Sequence, residues 1–391
     1  MTFRRTLSDK SERSRILDAK ATHRFANIDA LRAVAALLVL WSHAAENFVL
    51  PGATAGGAWL NDISDRLDFG RTGVVIFFCV SGYVIPATLT GAGWLPARRF
   101  LISRLFRLFP LFWLSIPAGL LFGYHLFGKT MPARDIVLNL TMVPELLGAV
   151  PVQGLYWTLE VELIFYGLCL ALHFAGRLQD RATIRLLCFG LLALMALFAL
   201  HQALHLNFGI GLKLGIMFGN LSLMFFGSLC RKLTDGALSR PRDIRWIAAY
   251  AALWLTVLPV AGVAMGAIEP PVLFPNVFVP YPLGLLVFLA GAFLFRSAPR
   301  WLAWLGCISY SLYLLQAPVI WAMLEVQAAA GPEHPILSRQ HLAIYIAIAA
   351  LAAILVSWAS YVWIELPAIA LGRRAAGKEL DAARAPGQAG A

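Results

Sequence analysis

The sequence predicts an all-α, polytopic membrane helix bundle of about ten transmembrane helices with both termini cytoplasmic. Three observations carry this. Hydrophobic residues make up 60% of the chain and charged ones only 14%, with a mean hydropathy of +0.73. Apolar runs long enough to cross a bilayer recur along it, at 28–49, 73–90, 104–127, 155–176, 184–204, 209–230, 245–266, 279–296, 302–325 and 342–370. Lysines and arginines then segregate by alternate loops, and clusters before residue 28, around 98–107, after 176, after 230, near 300 and after 372 fall on one side. By the positive-inside rule that side is the cytoplasm, which requires an even number of crossings.

Each element has its own reason. The segment up to Arg24 is polar and charged, so no cleavable signal peptide is expected and the first apolar run is retained. The second run is short, and the third contains Pro110 and Pro117, which membrane helices accept where neighbours satisfy the freed carbonyls. Residues 1–26 form an N-terminal tail, 27–370 the membrane body and 371–391 a C-terminal tail. The stretch "TMVPELLGAVPVQGLYW" between the third and fourth runs is expected to fold partly back onto the membrane surface.

The net charge of +11 follows from this topology and from attraction to anionic headgroups, so nucleic-acid binding is not expected. Five cysteines, all placed inside proposed spans and without paired CxxC spacing, argue against disulfides and against a metal site.

Ionisable residues inside apolar runs are costly at bilayer depth and point to function. Arg32 and His43 lie eleven residues apart in the first run, about 20° apart around a helix and roughly 16 Å along it, so they share a face. A snorkelling arginine and a histidine satisfied by a neighbouring helix would account for them equally well. Glu160 and Glu162 open the fourth run, pointing about 200° from each other, so at most one easily faces the cavity of His43. A carboxylate there would fix the imidazole tautomer and raise its basicity. Arg98, Arg99, Arg104 and Arg107 cluster at the cytoplasmic mouth and suit a polyphosphate, although a positive-inside anchor explains the loop arginines too. Arg32 either extends this cluster or pairs with Glu365. The Ser81 and Ser309 kernels read chiefly as helix-packing positions.

Taken together, "IDALRAVAALLVLWSH", "GVVIFFCVSGYVI", "RLFRLFP", "YWTLEVELIFY", "LGCISYSLYLLQAPV" and "IELP", in this order, resemble the acyltransferase-3 family of integral membrane acyltransferases over residues 27–370. The resemblance implies a membrane O-acyltransferase of the bacterial inner membrane. It would move an acetyl or similar acyl group from cytoplasmic acyl-CoA to a hydroxyl of a surface carbohydrate or glycolipid, as in polysaccharide O-acetylation, with no permanently bound cofactor. Arg32 and His43 match the family's arginine and histidine, Arg104 and Arg107 its arginine pair, and Glu162 its acid. The expected roles are His43 and Glu162 in catalysis, with Glu162 orienting His43, and Arg32, Arg104 and Arg107 holding the CoA phosphates. Two departures stand out: Glu160 replaces a small polar residue, and Gln316 replaces a common histidine, which argues against proton transfer at 316. A proton-coupled transporter or polysaccharide flippase would also need buried Arg, His and Glu, but the paired broken helices that would favour it are not evident.

Overall fold

A computed structural model describes residues 2–49, 54–203, 212–235, 241–257, 279–295, 297–331, 334 and 337–377. Helices α1 (Thr2–Val49), α2 (Trp59–Leu67), α3 (Phe69–Val84), α4 (Trp94–Leu120) and α5 (Ala133–Asn139) come first. They are followed by α6 (Tyr156–Phe174), α7 (Arg181–Ala203), α8 (Leu212–Thr234), α9 (Pro241–Ala252) and α10 (Pro280–Leu289). The last four are α11 (Arg300–Cys307), α12 (Ser309–Ala330), α13 (Leu342–Ser360) and α14 (Leu366–Ala375). Short parallel strands β1 (Thr54–Gly56) and β2 (Gln340–His341) tie two loops together, with Thr54 opposite Gln340.

Among the described residues eight helices are long and apolar enough to cross a membrane. They correspond to eight of the ten expected runs. The expected run at 279–296 is the shorter apolar helix Pro280–Leu294, about 22 Å long by helical rise and so less than a hydrocarbon core. The run at 245–266 is described as helix only to Val257, and the rest of it lies outside the described residues.

α3 and α8 form the centre. α3 is buried over most of Thr72–Tyr83 because α1, α8 and α10 all pack against it. Small residues permit this. Ala30, Ala33, Ala35, Ala36, Ala44 and Ala45 of α1 are buried, and a Cβ on Gly73 would come within 2.5 Å of the Ala35 carbonyl oxygen. On the rim, large apolar side chains face outward, as at Leu186 and Trp363, where lipid is the solvent.

Cys79, Cys169, Cys188 and Cys230 are buried in the bundle. Cys307 departs from expectation: the chain breaks at Ile308, between α11 and α12, and leaves Cys307 exposed at the end of a short helix. The stretch between α5 and α6 is held by polar side chains. Asn139 donates to the carbonyls of Asp135 and Val150 and accepts from the Val152 amide, and Gln153 donates to the Ser115 carbonyl.

Candidate active site: two cavities that share a wall

Two of the bundle's cavities, of about 280 Å³ and about 340 Å³, take in the ionisable residues of the apolar runs. Arg32, Arg104, Arg107, Glu162, Tyr166 and Ser309 line the first, and His43, Glu46, Asp68, Arg71, Trp157 and Trp321 line the second. α1 contributes to both, with Asp29 and Arg32 in one and His43 and Glu46 in the other.

The first cavity is a charge network. Arg104 comes from α4, where its guanidinium lies 5.4 Å from the Phe100 ring centre and 5.5 Å from that of Tyr166, and one of its terminal nitrogens donates to Thr88 Oγ1 at 3.1 Å. Its Nε has no hydrogen-bond partner. Glu162 accepts a 2.6 Å bond from the Tyr166 hydroxyl one helical turn away on α6. Arg32 experiences the charges of Arg107, Asp29, Glu162 and Glu365. Arg32 thus shares a cavity with the arginine pair and feels the charge of Glu365 without forming an ion pair with it. The route to Glu365 is local. Pro367, which lacks an amide donor, follows within the last membrane helix, and the five residues Tyr361–Glu365 ahead of it form a wider π turn. This turn presents a buried Glu365, which accepts from Ser311 Oγ.

Three guanidinium groups face three carboxylates here, yet the donors are not used up. Neither Arg32 nor Arg107 makes a hydrogen bond or an ion pair within 4 Å to a described side chain, and the Ser309 hydroxyl, also in the lining, has no partner. Unspent guanidinium donors in a low-dielectric pocket have the chemistry to take an anion.

In the second cavity His43 is half-buried on α1. Its carbonyl accepts from Asn47 Nδ2 at 2.8 Å, while no described residue hydrogen-bonds its ring. Asp68 sits at the start of α3 in the left-handed region, φ 41°, where its Oδ1 accepts the Arg71 amide at 2.8 Å and its Oδ2 meets the Arg71 guanidinium at 3.0 Å. Burial raises the Asp68 carboxyl above the ordinary aspartate range, against the opposing pull of the Arg71 charge.

The structure brings Arg32, Arg104, Arg107 and Glu162 together, but it does not bring Glu162 to His43. Counted inward from the start of α6, Glu162 lies nearly two turns in, deep enough to reach the arginines instead. The acids that share the cavity of His43 are Asp68 and Glu46, which the sequence reading passed over. Their available signal was Asp68 in the cap position ahead of "FGRTGVV" and Glu46 three residues after His43. Glu160 faces the other way: its Oε1 accepts the Glu145 amide at 2.6 Å and anchors the loop before α6. Gln316 is fully buried, donating weakly to the Tyr313 carbonyl at 3.3 Å. Among the described residues no group of histidine, cysteine and acidic side chains has metal-site geometry.

Eight helices long and apolar enough to cross a membrane, with a charged cavity next to a histidine cavity among them, define a multi-pass membrane protein. Residues 25–362 match the acyltransferase-3 family, described as an acyltransferase domain, and the chain belongs to that family of membrane acyltransferases. Nodulation protein 10 of Rhizobium leguminosarum bv. viciae is 32% identical over 160 residues, which cover 36% of this chain and 42% of that protein. The match therefore spans less than half of that relative's length. No solved structure matches the chain significantly. The transporter alternative gains no support from these comparisons.

Proposed function

We propose that the protein is an O-acyltransferase of the bacterial cytoplasmic membrane, with both termini cytoplasmic, using acetyl-CoA or a similar acyl-CoA as donor. The acceptor is a hydroxyl of a surface carbohydrate or glycolipid. The observation that carries this reading is the pairing of unspent Arg32 and Arg107 guanidiniums in one cavity with the unpartnered His43 ring in the adjoining one.

Arg32, Arg104 and Arg107 hold the CoA phosphates, and the pantetheine arm extends toward His43, a distance of roughly 16 Å along α1 that such an arm can span. Glu162 and Glu365 balance the charge of the arginines between turnovers without occupying their donors, which stay available to phosphate oxygens. At His43 the acceptor hydroxyl gives its proton to the imidazole as its oxygen attacks the thioester carbonyl. The carbon–sulfur bond breaks, an ester bond forms, and the imidazolium returns the proton to the CoA thiolate. Transient transfer of the acyl group to the same imidazole would use the same residue as nucleophile. Asp68 and Glu46 are the nearest candidates for orienting the ring or the acceptor, since they line its cavity.

The test is release of free CoA by detergent-purified wild type and His43→Ala, given acetyl-CoA with and without an extract of the host's surface glycans. Gel filtration in detergent verifies that both are folded. Glycan-stimulated release that disappears in His43→Ala is expected. Folded wild type that neither binds acyl-CoA nor releases CoA with any extract overturns the reading.

A further inference from the structure

The two cavities meet at a wall made by Val74 of α3 and Tyr313 of α12, the residues that line both. Tyr313 is held firmly in this wall. Thr158 Oγ1 donates to the Leu155 carbonyl at 2.9 Å, so it accepts from the Tyr313 hydroxyl at 2.8 Å, and that hydroxyl also lies 3.3 Å from the same carbonyl. The Phe77 ring meets the phenol edge-on, with centroids 5.6 Å apart. The phenol therefore bridges from α12 to the start of α6, directly between the arginine cluster and the imidazole.

We propose that Tyr313 and Val74 form a constriction that selects the donor by the width of its acyl group. This rests on the acyl-CoA reading above. Any acyl group bound to a CoA whose phosphates sit on Arg32 and Arg107 has to pass this wall to reach His43. The β-alanine and cysteamine end of the pantetheine arm, next to the thioester, is an unbranched chain, and the dimethyl-bearing pantoyl unit lies beside the phosphates, so an opening that admits the thioester end also admits an unbranched acyl group of the same cross-section. An acyl group branched next to its carbonyl is wider than this end of the arm and meets the phenol and the valine methyls. Close packing makes such a wall resistant to small displacements. The selection is on width and not on carbon number, because the His43 cavity beyond the wall is about 340 Å³.

Butyryl-CoA and isobutyryl-CoA, which have the same atoms and differ only in branching, separate the two cases. CoA release in the presence of acceptor is measured with each donor for wild type, Tyr313→Phe, Tyr313→Ala and Val74→Ala. The ratio of isobutyryl to butyryl rate should rise about tenfold or more in Tyr313→Ala and in Val74→Ala. In Tyr313→Phe it should stay at the wild-type value, since the ring remains and only its hydroxyl is lost. The proposal is overturned if wild type uses the two donors equally. It is also overturned if the ratio is unmoved in the alanine variants that retain acetyl transfer, and Val74→Ala decides alone should Tyr313→Ala fail to fold. Failure of the functional reading looks different: wild type would then release no CoA from any donor, acetyl-CoA included.

Discussion

Arg32 and His43 stand on one face of α1 and open into two different cavities. One continuous helix thus sets the spacing between the arginine-lined cavity and the histidine-lined one. The arginine pair of α4 completes the first and the start of α3 completes the second. Val74 and Tyr313, which line both cavities, stand between the arginines and the imidazole.

Arg32→Lys and Arg107→Lys should each raise the KM for acyl-CoA by about ten- to a hundredfold, with a smaller effect on kcat. Charge-assisted hydrogen bonds contribute about 1.5–3 kcal/mol, and an ammonium replaces the bidentate fork poorly. Initial rates over a range of donor concentrations measure this. An unchanged KM would remove Arg32 and Arg107 from donor binding.

Glu365→Gln should lower the KM for acyl-CoA while lowering thermal stability. The buried carboxylate accepts from Ser311 and shares its charge with Arg107 and Arg32, so it competes with incoming phosphates for the same cations. Its amide still accepts the Ser311 bond, whereas Glu365→Ala leaves buried positive charge uncompensated at a cost of about 3–5 kcal/mol. Melting curves in detergent should rank wild type above Glu365→Gln and Glu365→Ala lowest. A KM that rises in Glu365→Gln would place the carboxylate on the donor side of the chemistry instead.

Much of this was legible from residue types and spacing. The face shared by Arg32 and His43 follows from helical periodicity, and the opposite directions of Glu160 and Glu162 from their two-residue separation. What was not legible is which helices neighbour one another. The family resemblance and a similar depth in the membrane place Glu162 beside His43, whereas tertiary packing brings α4 against it and gives it arginine neighbours. Asp68 does not stand out in the sequence, since a cap residue announces a helix start but not the cavity that the start will border. The break at Ile308 has no proline or glycine at its centre, and an apolar run alone cannot mark it.

Asp68 gives a pH dependence with a definite sign. Burial holds its carboxyl above the ordinary value, the attraction of Arg71 notwithstanding. A raised folded-state value contributes stability in full below the unfolded value, and that contribution is lost as pH rises through the folded value. Asp68→Asn keeps a side-chain oxygen for the helix cap and has no proton to lose. The melting temperature of wild type relative to Asp68→Asn should therefore fall as pH rises above the ordinary aspartate value of about 4. A difference that instead moves in favour of wild type as pH rises would mean that the ion pair with Arg71 outweighs burial.

The crossing of α3 and α8 sets the position of Ser81 and of the arginine cavity wall, and two glycines make it possible. A Cβ on Gly82 would collide with the Met224 carbonyl, and one on Gly227 with the Cys79 carbonyl, backbone against backbone in both directions. Neither contact ends on a flexible side chain that can move aside, so relief requires the helices to separate along their most buried stretch. Gly82→Ala and Gly227→Ala should each cost about 3 kcal/mol or more, at or beyond the upper end for overpacking. Gly167 on α6 is the internal comparison: an added Cβ there meets nothing within 4 Å. Gly167→Ala should stabilise by about 0.5–1 kcal/mol through helix propensity alone. Detergent melting of the three variants beside wild type tests the packing of α3 on α8 directly. Equal behaviour of Gly82→Ala and Gly167→Ala would show that the two helices cross less closely than the geometry requires, and the wall of the arginine cavity would lose its fixed position with them.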